Sequence, residues 1–259
     1  MFEWSIQIYG FENTLEGYSR YISDDEAHII QEYDCNDHPH YYLTSIHFNN
    51  LANQQDVKNK SETIISFFSG AASLVEGDIL CFRLSDNIIK NNFKNHYIDP
   101  QLKNFKIESS VNQLIKKAWV DSDLKNIINI IGESCQQKAG NISYDRLYFI
   151  YEILKKRWGK QKLNQMEENM GIRSFWSNFQ HTAQDPKIIG IEARHGSFNR
   201  TSTSNPIDKE IARDKVMLAC QRWINDNFEI TMPIHDSFPR HRQDFSKYDY
   251  SQTNITKFE

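Results

Sequence analysis

The sequence predicts an α+β protein in which a small N-terminal domain of mixed strands and helix precedes an α-helical bundle. Apolar residues alternate with polar ones near the N-terminus, and they recur at helical spacing in the second half. Charge is also divided unevenly. Residues 1–100 hold 6 basic and 15 acidic side chains, whereas residues 101–259 hold 24 and 19. This asymmetry is consistent with two domains and an anionic partner for the second, but attraction between the two halves or simple solvation of the charges explains it as well.

Domain boundaries follow from the same pattern. We predict an α+β domain over residues 1–95, a helical bundle over residues 105–227 and an extended tail over residues 228–259. The polar segment 91–104, which contains Pro100, is the predicted linker.

Residues 2–8 have the alternation typical of a half-buried strand, and residues 27–33 and 41–48 are predicted as further strands. A turn-forming stretch, residues 34–39, separates the second from the third. The apolar spacing then changes and predicts a helix from Asp56 to Phe68 that ends near Gly70. Gly77 opens a further predicted strand over residues 79–84.

Apolar residues at helical spacing predict the helices of the second half: residues 111–119, 124–131, 144–158, 163–169 and 172–183. Ser143 is the predicted cap of the third of these helices. A last helix, with Ala212 and Trp223 on its buried face, is expected to begin at Asn205-Pro206.

Composition excludes several classes of protein. No apolar run is long enough to cross a membrane, and the N-terminal residues lack the pattern of a signal peptide, so we expect a cytoplasmic chain. The four cysteines form no CxxC pair and are expected to be reduced. The motifs GK[ST], GxGxxG, GxSxG and HExxH are absent from the sequence. We therefore expect no cofactor and no standard nucleotide, esterase or zinc-peptidase chemistry.

One group of side chains before the third strand has metal-binding chemistry: Asp34, Cys35, Asp37, His38 and His40. Zinc sites commonly have a second pair of ligands at a recognisable spacing, and only isolated histidines are available here. A polar hairpin turn is the favoured interpretation, and no metal site is predicted.

The densest group of catalytically competent side chains is Glu192, Arg194, His195 and Arg200. Histidine transfers protons near neutral pH, and arginine binds phosphate through paired hydrogen bonds. Together they suit metal-free cleavage of RNA, with arginine stabilising the charged phosphorane. Binding of a phosphate or a partner, or a purely structural set of ion pairs, would explain the same residues.

Basic residues in two other places are candidates for nucleic-acid or partner binding. Lys155, Lys156 and Arg157 lie in the last turn of a predicted helix, where they also favour the helix dipole. Arg240 and Arg242 lie among aromatic residues of the tail, which could stack on bases.

The second half resembles the small helical domains of the HEPN superfamily, found in prokaryotic defence and toxin proteins. The residues that carry the resemblance are the helix 144–152, the turn Ala193-Arg194-His195-Gly196 and the closing helix 212–223. Active members have an arginine, then four to six residues, then a histidine, and they cut RNA without metal. Here Arg194 and His195 are adjacent, and no histidine follows Arg200 at that distance.

Two hypotheses of function follow. The first is a non-catalytic or accessory binding and assembly component of a prokaryotic, antiphage-type defence system. Its basic helical half would contact RNA or a partner protein subunit, and a homo-oligomer is possible. The alternative is a metal-independent ribonuclease centred near Arg194 and His195.

Overall fold

The computed structural model describes residues 2–19, 27–90, 110–136, 141–170, 174–193 and 205–239. Contacts divide the chain into two compact units. Of the described residues, the first unit holds those up to Ile65 and those from Phe82 to Lys90, and the second unit holds the rest. The predicted α+β class is confirmed, because an antiparallel sheet precedes a series of helices.

The first unit is built on a four-stranded antiparallel sheet with the strand order β2-β3-β1-β4. One helix, α1, follows β1, and a second, α2, follows β3, which gives the βαββαβ arrangement of ferredoxin-like folds. The prediction from sequence did not include α1. The elements are β1 (Trp4–Tyr9), α1 (Glu12–Ser19), β2 (His28–Tyr33), β3 (Pro39–Thr44), α2 (Gln54–Glu76) and β4 (Arg83–Lys90). The residues of α2 from Ser66 onward belong to the second unit.

The central strand β1 is more deeply buried than its alternating sequence suggests. Trp4, Ile6 and Ile8 are buried as expected, but Ser5 and Gln7 on the opposite face are each only 3% exposed. The prediction of a half-buried strand was therefore wrong in this respect. The third predicted strand also ends early, at Thr44, because Ile46–Phe48 forms a 3-10 helix.

Helix α2 does not end near Gly70, as the sequence suggested, but continues to Glu76. Gly70 instead marks a close approach of two helices in the second unit. A Cβ atom at Gly70 would overlap the carbonyl oxygen of Ile128, and one at Gly132 would overlap that of Ser66. Gly77, with a φ of 75°, follows the helix, and there the absence of a side chain permits the left-handed conformation.

The connection from α2 to β4 is irregular up to Phe82, so the predicted strand over residues 79–84 was mostly wrong. Ile79 and Leu80 are apolar because they pack in the core, and not because they belong to a strand. Their backbone N–H groups donate to partners outside any strand. Ile79 donates to the carbonyl of Pro239 at 3.1 Å, and Leu80 donates to Ser73 Oγ at 2.9 Å.

The second unit holds the predicted series of helices. Its last helix begins at Lys209 rather than at Asn205-Pro206, because Asp208 is the residue that caps it. The Asp208 carboxylate accepts the N–H groups of Glu210 and Ile211 at 2.7 and 3.3 Å. The helices are α3 (Ser110–Val120), α4 (Ser122–Gln136), α5 (Tyr144–Arg157), α6 (Lys160–Met170), α7 (Phe175–Gln184), α8 (Pro186–Ile189) and α9 (Lys209–Asn227).

The described part of the predicted tail, residues 228–239, has no helix or strand but is packed as part of the second unit. Ile230, Met232 and Phe238 are buried, the last completely. Asn225 holds this segment, because its side chain bonds both the N–H and the carbonyl of Met232 at 3.0 Å. Across the described ranges, no helix combines the length and the apolar character needed to span a bilayer.

Candidate functional site

The structure describes four of the nine residues that the sequence proposed as catalytic or as binding nucleic acid or a partner. Glu192 belongs to the short 3-10 helix Gly190–Glu192, and the other three end helix α5. The remaining candidates lie outside the described residues: Arg194, His195, Arg200, Arg240 and Arg242.

Glu192 is held by two groups from different helices. One carboxylate oxygen accepts the backbone N–H of Tyr144 at 3.0 Å. The ammonium group of Lys209 lies 3.0 Å from each of the two oxygens. With side chains 35% and 23% exposed, Glu192 and Lys209 form a partly buried ion pair.

Glu192 provides a hydrogen-bond acceptor at the start of α5. The first N–H groups of a helix have no partner within the helix. Ser143 occupies the N-cap position, as predicted, but its side chain makes no capping hydrogen bond. Glu192 supplies the acceptor instead, and its negative charge is favourable at the positive end of the helix dipole.

Tyr144, which is bonded to Glu192, also contacts the segment before α9. Its hydroxyl donates to the carbonyl oxygen of Ile207 at 2.6 Å, and Lys209 Nζ lies 5.8 Å from the centre of its ring. Burial, with the negative charges of Asp208 and Glu192 nearby, raises the pKa of Tyr144 to about 12. The phenol therefore stays protonated and acts as a hydrogen-bond donor. These four residues, Tyr144, Glu192, Asp208 and Lys209, are called the helix-start cluster below.

Chemically, the helix-start cluster is suited to holding the fold. Both oxygens of Glu192 are bonded to Lys209 and one is also bonded to Tyr144. A carboxylate has about four lone-pair positions, and these contacts use three of them, so most of its hydrogen-bonding capacity is spent on the starts of two helices. The sequence singled out Glu192 for its acidity, but its partners lie far away in the chain, so no local motif indicated them.

The basic residues at the end of α5 are partly neutralised. Arg157 donates to Asp121 at 2.7 Å and to Asp123 at 3.1 Å, and Lys156 lies 3.8 Å from Asp123. Partial burial opposes ionisation of Asp121, but hydrogen bonds from the Leu124 N–H and from Arg157 lower its pKa overall. The Arg157 guanidinium is thus already occupied by carboxylates.

Lys155 and Lys156 remain exposed. Lys155 Nζ lies 5.9 Å from the ring centre of Tyr151, and the side chain of Lys156 is 74% exposed. Lys160, the first residue of α6, is exposed just beyond the turn at Gly159. These three exposed lysines, at the end of α5 and the start of α6, are together called the α5–α6 basic surface below.

The predicted hairpin turn between β2 and β3 is confirmed. One Asp34 oxygen accepts the N–H groups of Asn36 and His38 at 2.8 and 2.9 Å. These backbone hydrogen bonds lower the pKa of Asp34. No set of three or more His, Cys, Asp or Glu side chains in the described part of the chain is arranged to hold a metal ion.

One polar group in the first unit was not anticipated from the sequence. Gln7 Nε2 lies 3.1 Å from His40 Nδ1, and Asn87 donates to Gln7 Oε1 at 3.2 Å. Tyr42, directly opposite Gln7 in the β1–β3 register, has its pKa raised to about 12, mainly by burial. No local signal indicated this group, because the alternation of Gln7 with Ile6 and Ile8 predicts an exposed glutamine. Once buried, the glutamine requires hydrogen-bond partners.

No protein-family model, curated protein or solved structure matches this chain. The resemblance to the HEPN superfamily therefore remains a prediction from the residues quoted above.

Proposed function

We propose that the chain is a non-catalytic binding or assembly component whose helical half contacts nucleic acid or a partner subunit. The observation that supports this most directly is the engagement of Glu192 by Tyr144 and Lys209. The carboxylate of Glu192, the acid of the predicted acid–base group, is therefore bonded at the starts of α5 and α9. The resemblance to the HEPN superfamily, with its altered arginine–histidine spacing, supports an accessory role in a prokaryotic antiphage-type defence system.

The α5–α6 basic surface supports contact with an anionic partner. Lys155, Lys156 and Lys160 are exposed, and exposed lysines attract phosphates and carboxylates alike through their charge. Arg157 would have to leave Asp121 and Asp123 to join them. The positive field at this end of the second unit is therefore modest.

A modest field with carboxylates close by is more typical of a protein partner than of a phosphate backbone. Affinity for nucleic acid rests largely on many uncompensated cations, each releasing a counterion. Protein interfaces instead use complementary charges of both signs for specificity. We therefore favour a partner subunit, with RNA as the second candidate.

The first experiment tests RNA cleavage and RNA binding together. Purified protein is incubated with labelled single-stranded and structured RNA in EDTA, and binding is followed by fluorescence anisotropy at low and moderate salt. The variant Lys155→Glu/Lys156→Glu reverses charge on the basic surface. The matched control, Lys60→Glu/Lys187→Glu, reverses two other exposed lysines.

We expect no cleavage by any of these proteins. RNA binding that falls steeply with salt, and is lost only in the Lys155→Glu/Lys156→Glu variant, would assign the surface to nucleic acid. No RNA binding by the wild type supports a partner subunit. Cleavage by the wild type that disappears in His195→Ala would overturn the non-catalytic proposal in favour of the ribonuclease.

A further inference from the structure

Two of the four cysteines are neighbours in the second unit. Ser73, on α2, accepts the N–H of Leu80 at 2.9 Å, and its hydroxyl lies 3.7 Å from the Cys135 sulfur. Cys81 follows Leu80 directly, and its side chain hydrogen-bonds that of Cys135 in the last turn of α4. The two sulfurs are thus held together by elements that are distant in sequence.

The two thiols differ in access. Cys135 is only 4% exposed, whereas Cys81 is of intermediate exposure. The hydrogen bond with Cys81, together with burial, raises the pKa of Cys135. Because the thiolate is the reactive form, Cys135 does not react first. Cys81 is the thiol that a small oxidant reaches.

We propose that Cys81 and Cys135 form an oxidation-sensitive site, at which hydrogen peroxide joins the two residues by a disulfide. The site is independent of the proposed binding function. It also departs from the expectation that all four cysteines serve only as reduced residues.

The chemistry balances with peroxide as the oxidant. The Cys81 sulfur attacks one peroxide oxygen, the O–O bond breaks, and the other oxygen leaves as water after taking the thiol proton. Cys81 is then a sulfenic acid. The Cys135 sulfur attacks the Cys81 sulfur, the S–O bond breaks, and the hydroxyl leaves as water with the Cys135 proton. Two thiols are oxidised by two electrons, and one peroxide is reduced to two waters.

The contacts around Cys81 hold its segment in place, so we expect the disulfide to form without a rearrangement of the backbone. The segment from Gly77 to Cys81 is already fixed, because Ile79 donates to Pro239 and a side chain at Gly77 would overlap the ring of His235. A disulfide, with an S–S length of about 2 Å, would replace the side-chain hydrogen bond between the two thiols. The new bond would tie the connection after α2 to α4.

The test uses the 259-residue chain with Cys35→Ser, which removes the exposed thiol. The protein is treated with hydrogen peroxide, and thiols are counted by alkylation and mass spectrometry. Disulfides are mapped on unreduced peptides, and thermal unfolding is compared before and after oxidation. The matched control is Cys35→Ser/Cys81→Ser. It keeps Cys220, whose complete burial raises its pKa and should leave it inert.

We expect loss of two thiols, a peptide that joins Cys81 to Cys135, and a rise in Tm of several degrees that reductant reverses. The Cys81→Ser control should keep its thiols. In Cys35→Ser/Cys135→Ala, Cys81 should instead be trapped as a sulfenic acid by dimedone. Unchanged thiols, or direct conversion of Cys81 to sulfinic acid without the cross-linked peptide, would overturn the proposal.

Discussion

The carboxylate of Glu192 accepts the backbone N–H of Tyr144 at 3.0 Å, across 48 positions of the chain. This contact places a capping acceptor at the start of α5, where the N-cap residue Ser143 makes no side-chain bond of its own. Lys209, at the start of α9, neutralises the same carboxylate. One acidic residue therefore serves two helix N-terminal regions.

Replacing Glu192 tests this arrangement. Glu192→Ala removes the acceptor of the Tyr144 N–H, and we expect the free energy of unfolding to fall by about 1–2 kcal/mol. Glu192→Gln keeps an oxygen acceptor and should lose less. Urea unfolding followed by circular dichroism measures both. Ser143→Ala is the control and should change little. If it costs as much as Glu192→Ala, the capping role belongs to Ser143 instead.

The start of α9 offers an independent test. Asp208 accepts two backbone N–H groups, and Asp208→Ala should lower the free energy of unfolding by about 1 kcal/mol. Asp208→Asn retains an acceptor and is the matched control. It should stay close to the wild type, because asparagine caps helices about as well as aspartate. Equal losses for the two variants would show that charge, rather than the hydrogen bonds, stabilises this end.

The contact between α2 and α4 depends on two residues without side chains. Gly132→Ala would place a methyl group against the Ser66 carbonyl, and Gly70→Ala would do so against Ile128. Overpacking of this kind costs about 1–3 kcal/mol of unfolding free energy. Thermal or urea unfolding of each variant measures the loss.

Gly17 is the control for this pair. It lies within α1, and no described atom lies within 4 Å of a Cβ placed there. Gly17→Ala should therefore stabilise its helix by about 0.5–1 kcal/mol. A gain in stability from Gly70→Ala or Gly132→Ala would contradict the close approach of the two helices.

Alkaline pH should destabilise the fold through three tyrosines. Tyr42, Tyr144 and Tyr151 each have a pKa raised to about 12, chiefly by burial. Between pH 10 and pH 12 the unfolded chain loses these protons while the folded chain keeps them. Stability is therefore unaffected by them below pH 10 and falls above it.

Denaturation by urea at a series of alkaline pH values measures this slope, and the ultraviolet absorbance of phenolate gives the number of tyrosines ionised. Tyr151→Phe should reduce the slope, because it removes one of the three groups. Ionisation of all twelve tyrosines in a single step, with the fold intact, would contradict the raised pKa values.

Local patterns were sufficient for much of the fold. The alternation around Ile6 predicted a strand, and the spacing of Leu147 and Leu154 predicted α5. Errors arose where a distant element decides the conformation. In sequence, Gly70 suggests the end of a helix. In the structure it lies within α2, and a side chain there would overlap the carbonyl oxygen of Ile128.

The candidate site was less predictable for the same reason. Glu192 was singled out as a candidate catalytic acid, but its partners Tyr144 and Lys209 belong to α5 and α9, which no local pattern connects to it. Arg157 was predicted to bind nucleic acid or a partner, and it is paired with Asp121, just before α4, and with Asp123 in its first turn. Only three-dimensional packing brings these charges together.

The packing of residues 228–239 limits how the gene can be shortened. A version that stops at Asn227 would discard Phe238, which is fully buried, and the carbonyl of Pro239 that receives the Ile79 N–H. A second version, which starts at residue 105, would discard Ser73 and Gly70, although both belong to the second unit. The second unit is interrupted in sequence, so it cannot be excised as one uninterrupted stretch, and a transplant of this unit into another protein must carry both of its pieces.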